Sequence, residues 1–205
     1  MLPNILVVLL VGCCSSHISY SRAQDPCPKI NARTIWGARA PSSVSYLATS
    51  ASRIIVKETG STCSTRFTCL SLVKSTQNND ILIAGKSDIT CSFLIGADGQ
   101  VYEGRGWDIQ SEYSGSYEFC VIGLFDGRTT PTTLQQTGLV DMISCAVGSN
   151  KLVGSYTIQT PRDLSGTSSN PGEGLYQFVK TLPHYLTVVT PAPTPAPTPA
   201  PTTST

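Results

Sequence analysis

Histidine is almost absent from this sequence: 205 residues contain two, His17 and His184. That scarcity excludes most sites built on several imidazoles, whether metal centres or proton relays. No apolar run approaches the roughly 20 residues that a membrane-spanning helix needs. No Asn-x-Ser/Thr sequon occurs, so N-linked glycans are not expected. Charge is sparse and balanced, with 13% charged residues and a formal net charge of +1, and Lys and Arg are dispersed along the chain. Nucleic acid is therefore not an expected partner, because binding it needs a concentrated basic face. Cys-x-x-Cys pairs are also missing, which argues against a cysteine-based zinc cluster.

What is present divides the chain in three. Residues 1–23 read as a secretory signal, with an apolar core from Ile5 to Val11 and Ser21-Arg22-Ala23 as a small-x-small cleavage site. The expected mature protein is therefore extracellular and carries no membrane span. From 187 to 205 the text "TVVTPAPTPAPTPAPTTST" has no acid, base or aromatic residue. It reads as an extended, disordered Pro/Thr/Ala-rich tail whose threonines suit O-glycosylation. Residues 24–186 remain as one globular unit, long enough to bury roughly 70% of its unfolded surface. Cys13 and Cys14 leave with the signal, so 8 − 2 = 6 cysteines remain, an even number that in a secreted chain points to disulfides.

The pattern predicts strands at Arg53–Val56, Cys91–Ile95, Gln100–Glu103, Cys120–Phe125 and Lys151–Ile158, the first and fourth apolar enough to be central. Ala97-Asp98-Gly99 reads as the hairpin turn between the second and third. Three helices are predicted: one capped by Ser64 and running to about Asn78, one opened by Thr130-Pro131, and one opened by Asn170-Pro171. Strands alternating with helices imply an α/β domain, a mixed central sheet covered by helices, with ligands gathered beyond the strand ends.

One such end is "IIVKETG", residues 54–60, where an apolar β-branched run stops at Lys57 and Glu58. Alternation along a strand sends these two charges to opposite faces. Either the strand simply surfaces there, or it delivers one charge into a cleft.

Four blocks carry a specific resemblance: "CPKINARTIWGARAP" (27–41), "GSTCSTRFTC" (60–69), "FLIGADGQVYEGRGWDIQ" (93–110) and "LPHYL" (182–186). In this order the chain resembles the peptidoglycan recognition protein family, whose fold is that of type 2 N-acetylmuramoyl-L-alanine amidases. Catalytic members of that family hold zinc through two His and one Cys. By the resemblance, the His-His-Thr of those members falls on Lys57-Glu58-Thr59 and their Tyr on Cys91. Their Gly-His-Arg falls on Gly154-Ser155-Tyr156 and the Cys of Cys-Pro-Gly on Asn170. A protonated Lys57 has no lone pair for a metal and repels one. No zinc or other cofactor is expected, and no catalysis.

The resemblance also implies a ligand groove lined by Lys57, Thr59, Gly85, Lys86, Cys91, Tyr113, Ser155 and Asn170. Gly85-Lys86 stands where the family separates diaminopimelate-type from lysine-type stem peptides, and Trp107 is expected to be framework. An ammonium at Lys57 would offer charge to an anionic stem peptide, unless a neighbouring acid pairs with it. The implied partner is bacterial peptidoglycan or muropeptide, with other recognition proteins as further partners. The alternative is a protein-interaction or decoy module on the same fold. The resemblance pairs Cys63 with Cys69 and Cys27 with Cys145, leaving Cys91 and Cys120, whose bridge would be an addition to the family pattern.

Overall fold

A computed structural model describes residues 27–186, so the leader expected at 1–23 and the tail expected at 187–205 lie outside the described residues. The elements in order are β1 (Ile30–Asn31), β2 (Ala51–Glu58), α1 (Arg66–Leu82), β3 (Phe93–Ile95), β4 (Val101–Glu103), β5 (Ser116–Val121), α2 (Thr133–Gly148), β6 (Leu152–Gln159), α3 (Pro161–Ser165) and α4 (Glu173–Val179). The strands form one mixed sheet ordered β1-β4-β3-β5-β2-β6, antiparallel only between β3 and β4. This is the helix-covered α/β sheet that the sequence predicts. Among the described residues no helix is long and apolar enough to cross a membrane.

Ile54, Ile55 and Val56 are fully buried because β2 lies inside the sheet, between β5 and β6. The two faces have separate cores. Ile54 and Val56 pack with Leu139, Met142 and Ala146 of α2 on one face, while Leu94 and Cys120 pack with Cys69 and Val73 of α1 on the other. β-branched residues suit such a doubly covered strand.

Capping chemistry places the helix starts. Thr65, one residue after the expected Ser64, accepts from the Thr68 N–H while the Thr68 side chain returns to the Thr65 backbone, and the helix runs past Asn78 to Leu82. Thr132 and Gln135 make the same reciprocal box for α2, and Gln135 also donates to the Ile122 carbonyl at 2.8 Å, tying helix to sheet. α4 starts after Pro171, with Gly172 as its N-cap. The Ala97-Asp98-Gly99 turn joins β3 to β4 as expected, with Gly99 at φ 74°, where a side chain would be strained.

Two elements differ from the sequence reading and one strand is displaced. β1 is two residues long and α3 is five, each too short to show a period. The strand expected at Cys120–Phe125 is β5, Ser116–Val121. Ser116 and Glu118 are fully buried polar residues, whereas the apolar Leu124 is half exposed in the loop beyond the strand.

Three disulfides pin the fold: Cys27–Cys145, Cys63–Cys69 and Cys91–Cys120. The first two are the pairs implied by the resemblance. The third joins the segment before β3 to β5, with Cα atoms 5.9 Å apart, within the reach of a disulfide.

Candidate functional site

Lys57 and Glu58 do face opposite ways. Lys57 lies beside Cys120 in the parallel register of β2 and β5, on the α1 side. Its ammonium forms an ion pair with Glu118 and donates to the Thr90 hydroxyl at 3.0 Å. Glu118 is fully buried; one carboxylate oxygen accepts the Glu112 N–H at 2.9 Å, and the other is the one paired with the Lys57 ammonium. Glu58, on the other face, accepts the Phe125 N–H at 2.9 Å and so closes the loop after β5.

Asn170 approaches the same strand end. Its side-chain oxygen accepts the Glu58 N–H at 3.0 Å and its amide nitrogen donates to the Glu58 carbonyl at 3.0 Å. Thr59 follows, its hydroxyl donating to the Ser61 carbonyl at 3.0 Å and accepting from the Gly123 N–H at 3.3 Å.

A trough of about 460 Å³ runs along the outer side of α1, from Thr59 and Phe67 past Ser71, Ser75 and Asn79 to Asp80. Asp80 links it to the strand end, because its carboxylate holds the Thr90 N–H at 2.8 Å and Thr90 in turn accepts from Lys57. Beyond Asp80 the chain turns through Gly85, at φ 66°, and the Lys86 N–H donates to the Asp80 carbonyl at 2.8 Å. The Lys86 ammonium pairs with Glu112, both side chains remaining partly exposed at 41% and 32%. Hydrogen bonding to that carboxylate, and then its charge, raises the Lys86 pKa. Tyr113, partly buried beside Glu112, has its pKa raised by burial and by the charges of Glu118 and Glu112. Burial also pushes the Tyr117 hydroxyl, on the opposite face of β5, up to about 12.

The structure links Lys57 to Lys86 through Glu118 and Glu112, with Tyr113 next along the chain, and sets Thr59 and Asn170 at the end of β2; of the expected groove residues, Thr59 alone lines the trough. Cys91, 2% exposed and crosslinked to Cys120, offers a ligand no open surface. Ser155 needs correction. The register pairs Ile55 with Gln159, so the residue level with Lys57 is Pro161, and exposed Ser155 sits in the middle of β6, six positions earlier, since 161 − 155 = 6. The cause is that β6 runs on to Gln159 and α3 fills the span before Asn170, which takes up the extra length between Gly154 and Asn170.

Sequence reasoning missed Glu118, Thr90 and Asp80. Glu118 alone had a signal, an acid flanked by aromatics in "YEF". Trp107 is framework as expected, its ring 4.3 Å from Phe93 and 5.0 Å from Tyr117.

The cleft can present hydroxyls and two pre-formed ion pairs. Its donors do not fit a zinc ion: Lys57 is a paired ammonium, both ends of the Asn170 amide are committed, and the Cys91 sulfur is in a disulfide. Among the described residues no group of three or more His, Cys, Asp or Glu is placed to hold a metal.

No family model matches the chain. Individual relatives do. Peptidoglycan-recognition protein 1 of Holotrichia diomphalia is 32% identical over 80% of this chain and 87% of its own length. Peptidoglycan recognition protein 4 of Mus musculus is 35% identical over 80% of this chain but 45% of its own, so the chain spans about half the length of that relative. Among solved structures, human PGRP-IBETAC in complex with glycosamyl muramyl pentapeptide superimposes with TM-score 0.74 at 31% identity, covering 78% of this chain and 99% of that one. The complex of the PGRP-LCa and PGRP-LCx ectodomains with bound tracheal cytotoxin gives TM-score 0.74 at 30% identity, covering 78% and 99%. With the sheet, the cleft and these relatives in agreement, the chain belongs to the peptidoglycan recognition protein family.

Proposed function

We propose that this chain is a secreted, non-catalytic peptidoglycan-recognition protein that binds muropeptide in the cleft beside α1 and modulates innate sensing of bacteria. The observation that carries the non-catalytic part is the Lys57–Glu118 ion pair at the end of β2. A hydrolytic zinc site needs lone pairs converging on the metal and an open position for water. Here the strand end carries a fixed cation, satisfied by a buried carboxylate. The binding part rests on the open trough and on the muropeptide-bound human relative. Pull-down on insoluble peptidoglycan, with metal analysis of the same sample, tests both parts. Retention on the pellet without stoichiometric zinc supports the reading, and one bound zinc with released stem peptide refutes it.

A second reading, a protein-interaction or decoy module that does not bind peptidoglycan, draws on one feature: both cleft lysines are already neutralised, Lys57 by Glu118 and Lys86 by Glu112. Neither of these two lysines is left as an uncompensated cation for an anionic peptide. Absence from the peptidoglycan pellet would favour it.

A further inference from the structure

A second cavity, of about 260 Å³, lies at the pole opposite the cleft, between the segment leading into β2, the Trp107-Asp108 loop and the turn from α2 to β6. From Ala51 to Glu58 the strand rises by 58 − 51 = 7 residue steps, so the two sites stand about 23 Å apart. The walls are tied to one another through the backbone. The Leu47 N–H donates to the Asp108 carbonyl at 2.9 Å, the Ala51 N–H to the Lys151 carbonyl at 2.8 Å, and the Ser50 hydroxyl to the Asn150 carbonyl at 2.8 Å. The side chains of the lining are less committed. The Asn150 amide and the Trp107 indole N–H have no hydrogen-bond partner among the described residues. Asp108 and Lys151 pair at 3.0 Å through a single carboxylate oxygen, which leaves the other oxygen and two ammonium N–H groups open.

We propose that this cavity binds a neutral sugar unit of a polysaccharide, independently of the muropeptide cleft. Its volume equals the share of about nine water molecules at about 30 Å³ each, room for a sugar ring and not only for an ion. Charge selects against ionic ligands: an anion meets Asp108 and a cation meets Lys151, so neither gains from the pair. A purely apolar ligand would cover the open donors and acceptors without replacing their water. Sugar hydroxyls both donate and accept. Two adjacent ones can use the oxygen and the nitrogen of the Asn150 amide together, and others can reach the free Asp108 oxygen and the Lys151 N–H groups without breaking the ion pair. Because the walls are already fixed, little ordering is lost on binding. A sugar held here leaves the cleft free, so one molecule could engage two strands of a glycan.

The test is an NMR titration of the mature protein with two neutral trisaccharides, chitotriose, built of N-acetylglucosamine, and maltotriose, built of glucose. Shifts at the Asp108, Asn150 and Lys151 amides are expected with at least one of them; a response to chitotriose alone identifies an acetamido sugar, and a response to both a plain polyol site. Asn150 stands at φ 55°, a conformation that glycine adopts freely, so Asn150→Gly removes the amide and keeps the backbone. It should weaken trisaccharide binding about tenfold and leave muropeptide affinity unchanged, with its amide spectrum elsewhere reporting the intact fold. No shift at these amides with either sugar, shifts confined to the cleft, or equal affinity in Asn150→Gly overturns the site, whatever the muropeptide result. Tighter binding of the anionic trigalacturonate than of either neutral sugar overturns the choice of ligand class.

Discussion

Replacing Lys57 with Met keeps most of the side-chain volume and removes the charge. Glu118 would then be a fully buried carboxylate whose remaining partner is the Glu112 N–H. Removing one member of a buried pair typically costs 3–5 kcal/mol, because the other charge stays behind unpaired. Since 16% of the Lys57 side chain is exposed, some water reaches the gap, and the expected loss is at the low end, about 3 kcal/mol. For a domain of this size that corresponds to a fall in Tm of about 6–12 °C. The informative partner is the double variant Lys57→Met with Glu118→Gln. Gln keeps an acceptor for the Glu112 N–H and carries no charge, so about 2 kcal/mol of the loss should return. Urea denaturation followed by tryptophan fluorescence measures all three proteins. Lys57→Met within about 1 kcal/mol of wild type, a value typical of exposed pairs, would refute the reasoning. So would a double variant as unstable as the single one.

Three further outcomes are expected. Because Glu118 already neutralises Lys57, Lys57→Met should change muropeptide affinity by less than about threefold, well below the tenfold that a direct charged contact of about 1.4 kcal/mol gives; titration of the variant checks it. Loop length ranks the disulfides: replacing both cysteines of Cys27–Cys145, separated by 118 residues, should cost about 5 kcal/mol, and of Cys63–Cys69, separated by 6, about 2 kcal/mol, with denaturant midpoints in that order. Tyr117 titrates near 12 in the fold against 10 in the free side chain. The stability that this shift supplies is present in full below pH 10 and is lost as pH rises towards 12; absorbance at alkaline pH should therefore show this tyrosine ionising together with unfolding, and its ionisation near pH 10 in the folded protein would contradict the burial.

The order of strands and helices was legible because burial and apolar pattern coincide in β2, β3 and α2. They part company in β5, where Ser116 and Glu118 are buried polar residues, each satisfied by a partner that only the tertiary fold supplies. Hydrophobicity therefore shifted that strand toward Leu124. Alternation alone placed Lys57 and Glu58 on opposite faces, whereas Lys86, Tyr113 and Asn170 were expected near them only through the resemblance. Pairing across strands was not legible. Glu118 lies 61 positions from Lys57, since 118 − 57 = 61, and nothing local to either residue announces the other. The same limit misplaced Ser155, because the length of β6 and the α3 turn decide which residue arrives level with Lys57.

Recognition without cleavage is tested most directly by native mass spectrometry of the mature protein incubated with equimolar zinc and a soluble disaccharide–stem-peptide muropeptide. The predicted species is protein plus intact muropeptide with no metal. Protein plus one zinc, accompanied by muropeptide split at the amide between sugar and peptide, would contradict the account.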